Sequence, residues 1–252
     1  VKRILILLIA VLASFASLTT AQDLSDVELL AALDDARFFD DTVTQLTIRI
    51  VSETPDETRQ AELALSFFDN DAGAYARIEF TTPEELAGQI FLSTPNGTYF
   101  YGPDLDFPIK TSATTEVFGD AAVAQTSGIR FAESYTIGER RTSTNEAGAE
   151  LWEIDLVAMN YSVAFQAITV IVDAVNLRPI SAMLYAVSGL PFYEVLYETY
   201  ESRDDDVYVT TQRIVNQLLL GRITTSQILA IDTAVLSFEL FDPNSLGASQ
   251  AP

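Results

Sequence analysis

Ala61-Glu62-Leu63-Ala64-Leu65-Ser66-Phe67 and Ala74-Tyr75-Ala76-Arg77-Ile78-Glu79-Phe80 flank the segment Asp69-Asn70-Asp71-Ala72-Gly73. In the first run Ala61, Leu63, Leu65 and Phe67 alternate with Glu62, Ala64 and Ser66. In the second, Ala74, Ala76, Ile78 and Phe80 alternate with Tyr75, Arg77 and Glu79. A period of two is the signature of a strand with unlike faces, because successive side chains point to opposite sides of the pleat. The acidic, glycine-ended segment between the runs is turn chemistry. The two runs therefore predict an antiparallel hairpin with one apolar face.

The same pattern extends in both directions. Upstream, Leu46, Ile48 and Ile50 alternate with Thr47, Arg49 and Val51. Downstream, Gln89–Ser93 and Thr98–Tyr101 flank Pro95-Asn96-Gly97, a second hairpin signal. After residue 134, strands are expected at 135–141, 150–159, 167–173, 180–187, 193–202, 206–215 and 222–230. Trp152, Ile154, Leu156 and Ala158 share one face of theirs. Short connections suggest a meander of about ten or eleven strands, too many for a flat open sheet, which must curl strongly or close.

One helix is clear. Ser25 caps the run Asp26–Phe39, and Glu28 stands three residues on as its capping-box partner; Leu29, Leu30, Leu33 and Ala36 fall on one face. Residues 102–134 are the least regular part. Pro103 and Pro108 break any strand there, and 118–127 is a candidate short helix. This stretch reads as a long loop or a helical cover, and connections of that length are often functional lids.

The first residues are read as an address. Val1-Lys2-Arg3 precedes an apolar run from Ile4 to Ala13, and Thr19 and Ala21 supply small residues before Gln22. This is the layout of a secretory signal peptide, cleaved near Ala21. The expected organisation is a signal peptide at 1–21 and a single domain at 22–252. The run is short for a transmembrane anchor.

Composition excludes several kinds of chemistry. The 252 residues hold 14 Lys+Arg against 36 Asp+Glu, a formal charge of −22, with no Cys and no His. Without Cys there is no disulfide frame, thiolate nucleophile or thiol lipid anchor. Without His there is no Ser-His-Asp triad and no His-ligated zinc. The negative excess repels nucleic acid and anionic lipid.

Carboxylates remain. Glu153 and Asp155, with Glu150 nearby, could form an acid pair for hydrolysis; they also suit the solvated outer face of a half-buried sheet, as do Glu194, Glu198 and Glu201. Asp69-Asn70-Asp71 faintly resembles a calcium loop, but the twelve-residue pattern is not completed. The acidic run at 204–206 has the same turn reading. No metal or cofactor is expected.

The order of elements carries a resemblance. Phe80-Thr81-Thr82-Pro83-Glu84-Glu85-Leu86-Ala87-Gly88-Gln89-Ile90-Phe91-Leu92 leads into Pro95-Asn96-Gly97-Thr98-Tyr99-Phe100-Tyr101-Gly102-Pro103. The tail reads Phe238-Glu239-Leu240-Phe241-Asp242-Pro243-Asn244-Ser245-Leu246. With the early helix and alternating strands, this resembles the outer-membrane lipoprotein-sorting proteins, the relatives of the periplasmic lipoprotein carrier LolA. The chain departs from that pattern in the middle, where Thr126–Ser134 keeps Phe131 and Glu133, and in the hairpin, where Tyr99 stands in place of a common Trp.

The resemblance implies a mainly β fold with a few helices. Its strongly curved antiparallel sheet would form an unclosed half barrel, covered by helices around an apolar cavity. It implies a non-enzymatic monomeric carrier in the periplasm that binds acyl chains of lipoproteins or lipids. Its partners would be an inner-membrane lipoprotein-releasing transporter and an outer-membrane acceptor. An envelope-stress regulator on the same scaffold is the alternative, and a carboxylate hydrolase a further one. The expected cavity lining is Leu46, Ile48, Ile50, Leu63, Leu65, Phe67, Ile78, Phe80, Leu92, Phe100, Trp152, Ile154 and Leu156, with Leu30 and Leu33 as a lid from the helix. Residues of these types are more often simple core, and composition alone favours a filled interior.

Overall fold

The computed structural model describes residues 24–39, 43–203 and 206–246. The expected signal peptide lies outside them. Helix α1 (Asp26–Asp35) begins as its capping box dictates: the Glu28 amide donates to Ser25 Oγ, and the Ser25 amide and hydroxyl donate to Glu28 Oε2 at 2.9 and 2.6 Å. These bonds hold the Glu28 carboxyl below the usual carboxylate range. Leu29, Leu30 and Leu33 are buried as expected. The buried face then continues through Asp34 and Arg37, not through the expected Ala36, which caps the helix and stays half-exposed.

The strands are β1 (Gln45–Glu53), β2 (Thr58–Asn70), β3 (Gly73–Thr82), β4 (Ile90–Thr94), β5 (Gly97–Tyr101) and β6 (Ile109–Thr111). After a small ribbon of β7 (Glu116–Phe118) and β8 (Ala121–Ala122) come β9 (Tyr135–Thr144), β10 (Glu150–Ala158), β11 (Ala167–Asp173) and β12 (Arg178–Tyr185). The last are β13 (Pro191–Arg203), β14 (Asp206–Asn216) and β15 (Ile223–Asp232). Two short helices, α2 (Val123–Ser127) and α3 (Phe131–Ser134), lie between β8 and β9. The expected helix at 118–127 is thus confined to its second half, because the ribbon takes the first.

Among the described residues thirteen strands form one antiparallel sheet, ordered β6-β5-β4-β3-β2-β1-β15-β14-β13-β12-β11-β10-β9. It is two meanders, not one. The first strand pairs with the last, Ile50 opposite Ser226, and this seam joins the halves. β6 and β9 remain as edges, so the sheet does not close into a barrel. Register shifts in six of the strand pairs, including β1·β15 and β13·β14, each insert an unpaired residue and increase local twist. That twist bends a sheet of this width around its apolar face.

The concave face holds the main core, in which Ile50, Leu63, Ile78, Ile154 and Val170 are fully buried. α1, α2 and α3 lie across it. The convex face carries a second apolar cluster. There the tail, through two short 3-10 turns at Phe238–Phe241 and Pro243–Ser245, lays Phe241 and Leu246 over Tyr75, Ile90, Leu92 and Tyr101. Phe241 is fully buried, with its ring 5.4 Å from that of Phe68.

Candidate functional site

The concave side is not filled along its whole length. At the end bearing the β1–β2 hairpin, the segment from Phe118 to Gln125 plugs it. Gly119 adopts a positive φ of 57° and sits so close to the sheet that an added Cβ would meet Thr224 Oγ1 at 2.5 Å and Ser52 Oγ at 2.6 Å. The next residue, Asp120, is fully buried. Its amide donates to Thr224 Oγ1 (2.8 Å), its carboxylate accepts from Asn216 Nδ2 (2.6 Å), and Arg222 Nε lies 3.2 Å away.

Beyond that plug a cavity of about 780 Å³ opens between the sheet and its cover. Its sheet wall includes Leu46 and Ile48 of β1, Leu65 and Phe67 of β2, Ala74 and Ala76 of β3, Ala182 and Leu184 of β12, Val195 of β13, Ile214 of β14 and Ile228 of β15, interspersed with the polar Ser93 of β4, Thr210 and Gln212 of β14 and Ser226 of β15. Phe38, Phe39, Ala124, Ile129, Phe131 and Ala164 form the cover. Alanines at 74, 76 and 182 are among the small residues that line it.

The cover is fastened by a buried charge pair. Arg37 Nη2 donates to Asp34 Oδ1 at 2.5 Å and to the Ile129 carbonyl at 2.7 Å, and Arg37 Nε donates to the Leu33 carbonyl at 3.2 Å. The Asp34 carboxylate also accepts the amides of Phe131 and Ala132, both at 2.9 Å. The Arg37 guanidinium rests 3.7 Å from the Phe131 ring centroid. Asp34 and Arg37 thus tie α1 to the start of α3, and Arg37 reaches the cavity wall. Hydrogen bonds meet most of the cost of burying these charges.

Of the expected lining, the structure brings Leu46, Ile48, Leu65 and Phe67 together at the cavity. Ile50, Leu63, Ile78, Phe80, Trp152, Ile154 and Leu156 are packed into the core beside it, and Phe100 is half-buried against that core. Leu30 and Leu33 likewise pack into the core and do not face the hollow. Leu92 belongs to the other side: Ile90 and Leu92 point to the convex cluster, whereas Phe91 points inward, 4.9 Å from Phe100. Apolar residues on successive positions of β4 made its parity ambiguous. Sequence reasoning passed over Arg37, Ala182 and the cover residue Ile129. The inward alanines were the available signal.

The acid pair has a structural occupation. Arg141 of β9 donates to Asp155 Oδ2 at 2.7 Å and to a Glu153 carboxylate oxygen, and Thr169 Oγ1 donates to Asp155 at 2.8 Å. The Arg141 bond holds the Asp155 carboxyl below its ordinary value. Both acids face away from the cavity, on the outer side of β10. Asn70 Oδ1 accepts the Ala72 amide at 2.8 Å, so the Asp69–Asp71 segment serves as a turn. Among the described residues no group of acidic side chains is placed to hold a metal ion.

An open, strongly curved antiparallel sheet with a covered apolar hollow defines the LolA-like fold. The solved structures agree. A LolA superfamily protein from Nitrosomonas europaea superposes with a TM-score of 0.79 at 20% identity, covering 87% of this chain and 98% of that one. A candidate outer membrane lipoprotein-sorting domain from Vibrio parahaemolyticus gives a TM-score of 0.71 at 14% identity, covering 88% and 97%. No curated protein matches the sequence. A family model whose description reads "-like: Uncharacterized protein" matches residues 73–248, and the chain belongs to that family.

Proposed function

We propose that the protein is a non-catalytic carrier of the cell envelope that shields acyl chains of lipoproteins or lipids in the concave cavity during transit through the periplasm. The observation that carries this reading is the mainly apolar hollow of about 780 Å³ beneath a fastened cover. Its size falls in the range of roughly 300–1,000 Å³ typical of ligand pockets. Burying a methylene is worth about 0.8 kcal/mol, so a sixteen-carbon chain represents on the order of 10 kcal/mol withheld from water. A carrier has to give that back at delivery. Arg37 itself meets the sheet through two long polar contacts, to Tyr197 Oη at 3.4 Å and from the Val209 amide at 3.5 Å, and ties as weak as these suit release. The engagement of Glu153 and Asp155 with Arg141 supports a carrier over a hydrolase. An inner-membrane transporter would load the carrier, and an outer-membrane acceptor would unload it.

The test is extraction of the purified protein followed by mass spectrometry for co-purified acyl lipid, with uptake of a fluorescent fatty acid as the quantitative assay. Leu65→Glu places a charge on the cavity wall and should abolish uptake with an unchanged β-sheet circular dichroism spectrum. Full uptake by that variant would remove the cavity from the account.

A further inference from the structure

The β14–β15 hairpin presents Leu218, Leu219 and Leu220 to solvent, 53%, 51% and 87% exposed. Beside it the β12–β13 hairpin presents Val187 at 90% and Leu190 at 57%. The two tips are neighbours, since the Gln217 amide donates to the Phe192 carbonyl at 2.9 Å. Single exposed leucines need no explanation, but a contiguous apolar group marks a surface that meets something.

The display is built, not slack. Asn216 is buried, and its Oδ1 accepts the amides of Leu218 and Leu219 at 2.9 and 2.8 Å. Its Nδ2 is anchored to fully buried Asp120. The leucines therefore project from a fixed base with little entropy left to lose on contact. The residues at 186–193 and 214–221 include no charge at all, in a chain of net −22. The acidic β1–β2 turn stands alongside: Pro55 lies 3.2 Å from where a Cβ on Gly221 would be, and Glu53, Asp56 and Glu57 flank it in sequence.

We propose that these two hairpin tips dock the protein reversibly on a lipid bilayer, inserting the leucines among uncharged or zwitterionic headgroups. Projecting apolar tips need no matching pocket at a lipid interface, whereas a protein partner would have to supply one. Neither tip lines the acyl cavity, so the surface is separate from it. The neighbouring acids set the preference, because an anionic bilayer repels them and a zwitterionic one does not. The inference rests on the carrier reading only for its purpose, which is to hold the protein at the bilayer where cargo changes hands.

The experiment is vesicle flotation of the chain beginning at Gln22, which retains every described residue. It uses phosphatidylcholine vesicles and vesicles containing phosphatidylglycerol, at low and high salt. The chain should float with phosphatidylcholine, and float less on the anionic vesicles at low salt with recovery as salt rises. The double substitution Leu219→Asp with Leu220→Asp should lower the bound fraction about tenfold or more, while melting temperature and fatty-acid uptake stay unchanged. No flotation of the unmodified chain, or equal flotation of the variant, overturns the proposal. So does a concentration-dependent dimer abolished by the substitution without any flotation, since the patch would then join two copies. The carrier reading fails separately, through Leu65→Glu uptake, which leaves flotation untouched.

Discussion

Asp34 and Arg37, three residues apart at the end of α1, form an ion pair 2.5 Å long in which both side chains are almost wholly out of solvent. The pair is also the point where α1 meets the cavity cover, since Asp34 accepts two amides from the start of α3. Removing one partner strands a buried charge and typically costs about 3–5 kcal/mol. Arg37→Ala and Asp34→Ala should each lower stability by that order in denaturant melts. Asp34→Ala also orphans the amides of Phe131 and Ala132. The double variant should lose clearly less than the two single losses together. Strict additivity would show that the pair is not coupled.

The inward alanines make a sharper prediction about the hollow. Ala74 lines the cavity and is exposed, so Ala74→Leu adds side chain where there is space, and stability should hold or rise slightly while fatty-acid uptake falls. Leu63→Ala does the converse. It hollows the packed region beside the cavity, and should cost about 2–5 kcal/mol with uptake largely retained. The two variants together separate the core from the cavity, which hydropathy alone does not do.

That separation explains what the amino-acid pattern could and could not convey. Alternation placed β1, β2, β3 and β10 with the correct faces inward, because a one-residue slip would turn Leu63 and Leu65 to the solvent. The Ser25 capping box placed the start of α1 because that signal is local. The β1–β15 seam was out of reach: it joins Ile50 to Ser226, and strand pairing across such a distance leaves no mark in local periodicity. The apolar side chains that line a hollow and those that fill a core are the same residue types, so Ile50 and Ile48 looked equivalent. Leu92 was misplaced because three buried residues in succession, Ile90, Phe91 and Leu92, serve both faces of a strand covered on both sides. Burial of Asp34 and Arg37 was unreadable, since a charged pair near a helix end ordinarily reads as solvated surface.

The plug at the closed end depends on Gly119. Any side chain there would strain a left-handed backbone and collide with Ser52 and Thr224. Gly119→Ala should destabilise the protein by at least about 1–3 kcal/mol, and Ser52→Gly in the same chain should recover part of that loss. Urea unfolding of the unmodified protein and these two variants checks this. A neutral Gly119→Ala would mean that the segment 118–125 does not seat against β1 and β15 as described.

Acid should loosen the far half of the sheet through Asp155. Its carboxyl is held below the ordinary value by the bond from Arg141, so its folded pKa lies under that of the unfolded chain. A group with a depressed folded pKa contributes stability above its unfolded pKa of about 4, and that contribution disappears as pH falls through the folded value. Asp155 and Arg141 are both partly exposed, so the contribution is modest. Its position matters more than its size, because Arg141 lies on β9, the edge strand, and Asp155 on β10. Hydrogen exchange of the β9 amides should therefore accelerate as pH is lowered below about 4, after correction for the intrinsic pH dependence of exchange. In Asp155→Asn the protection should already be reduced at neutral pH and should vary less with acidification. Arg141 also bonds Glu153 and, at 2.7 Å, Glu139; if protection in that variant tracked the unmodified protein across the whole range, those two acids would be sufficient to hold Arg141, and Asp155 would have no part in fastening the edge.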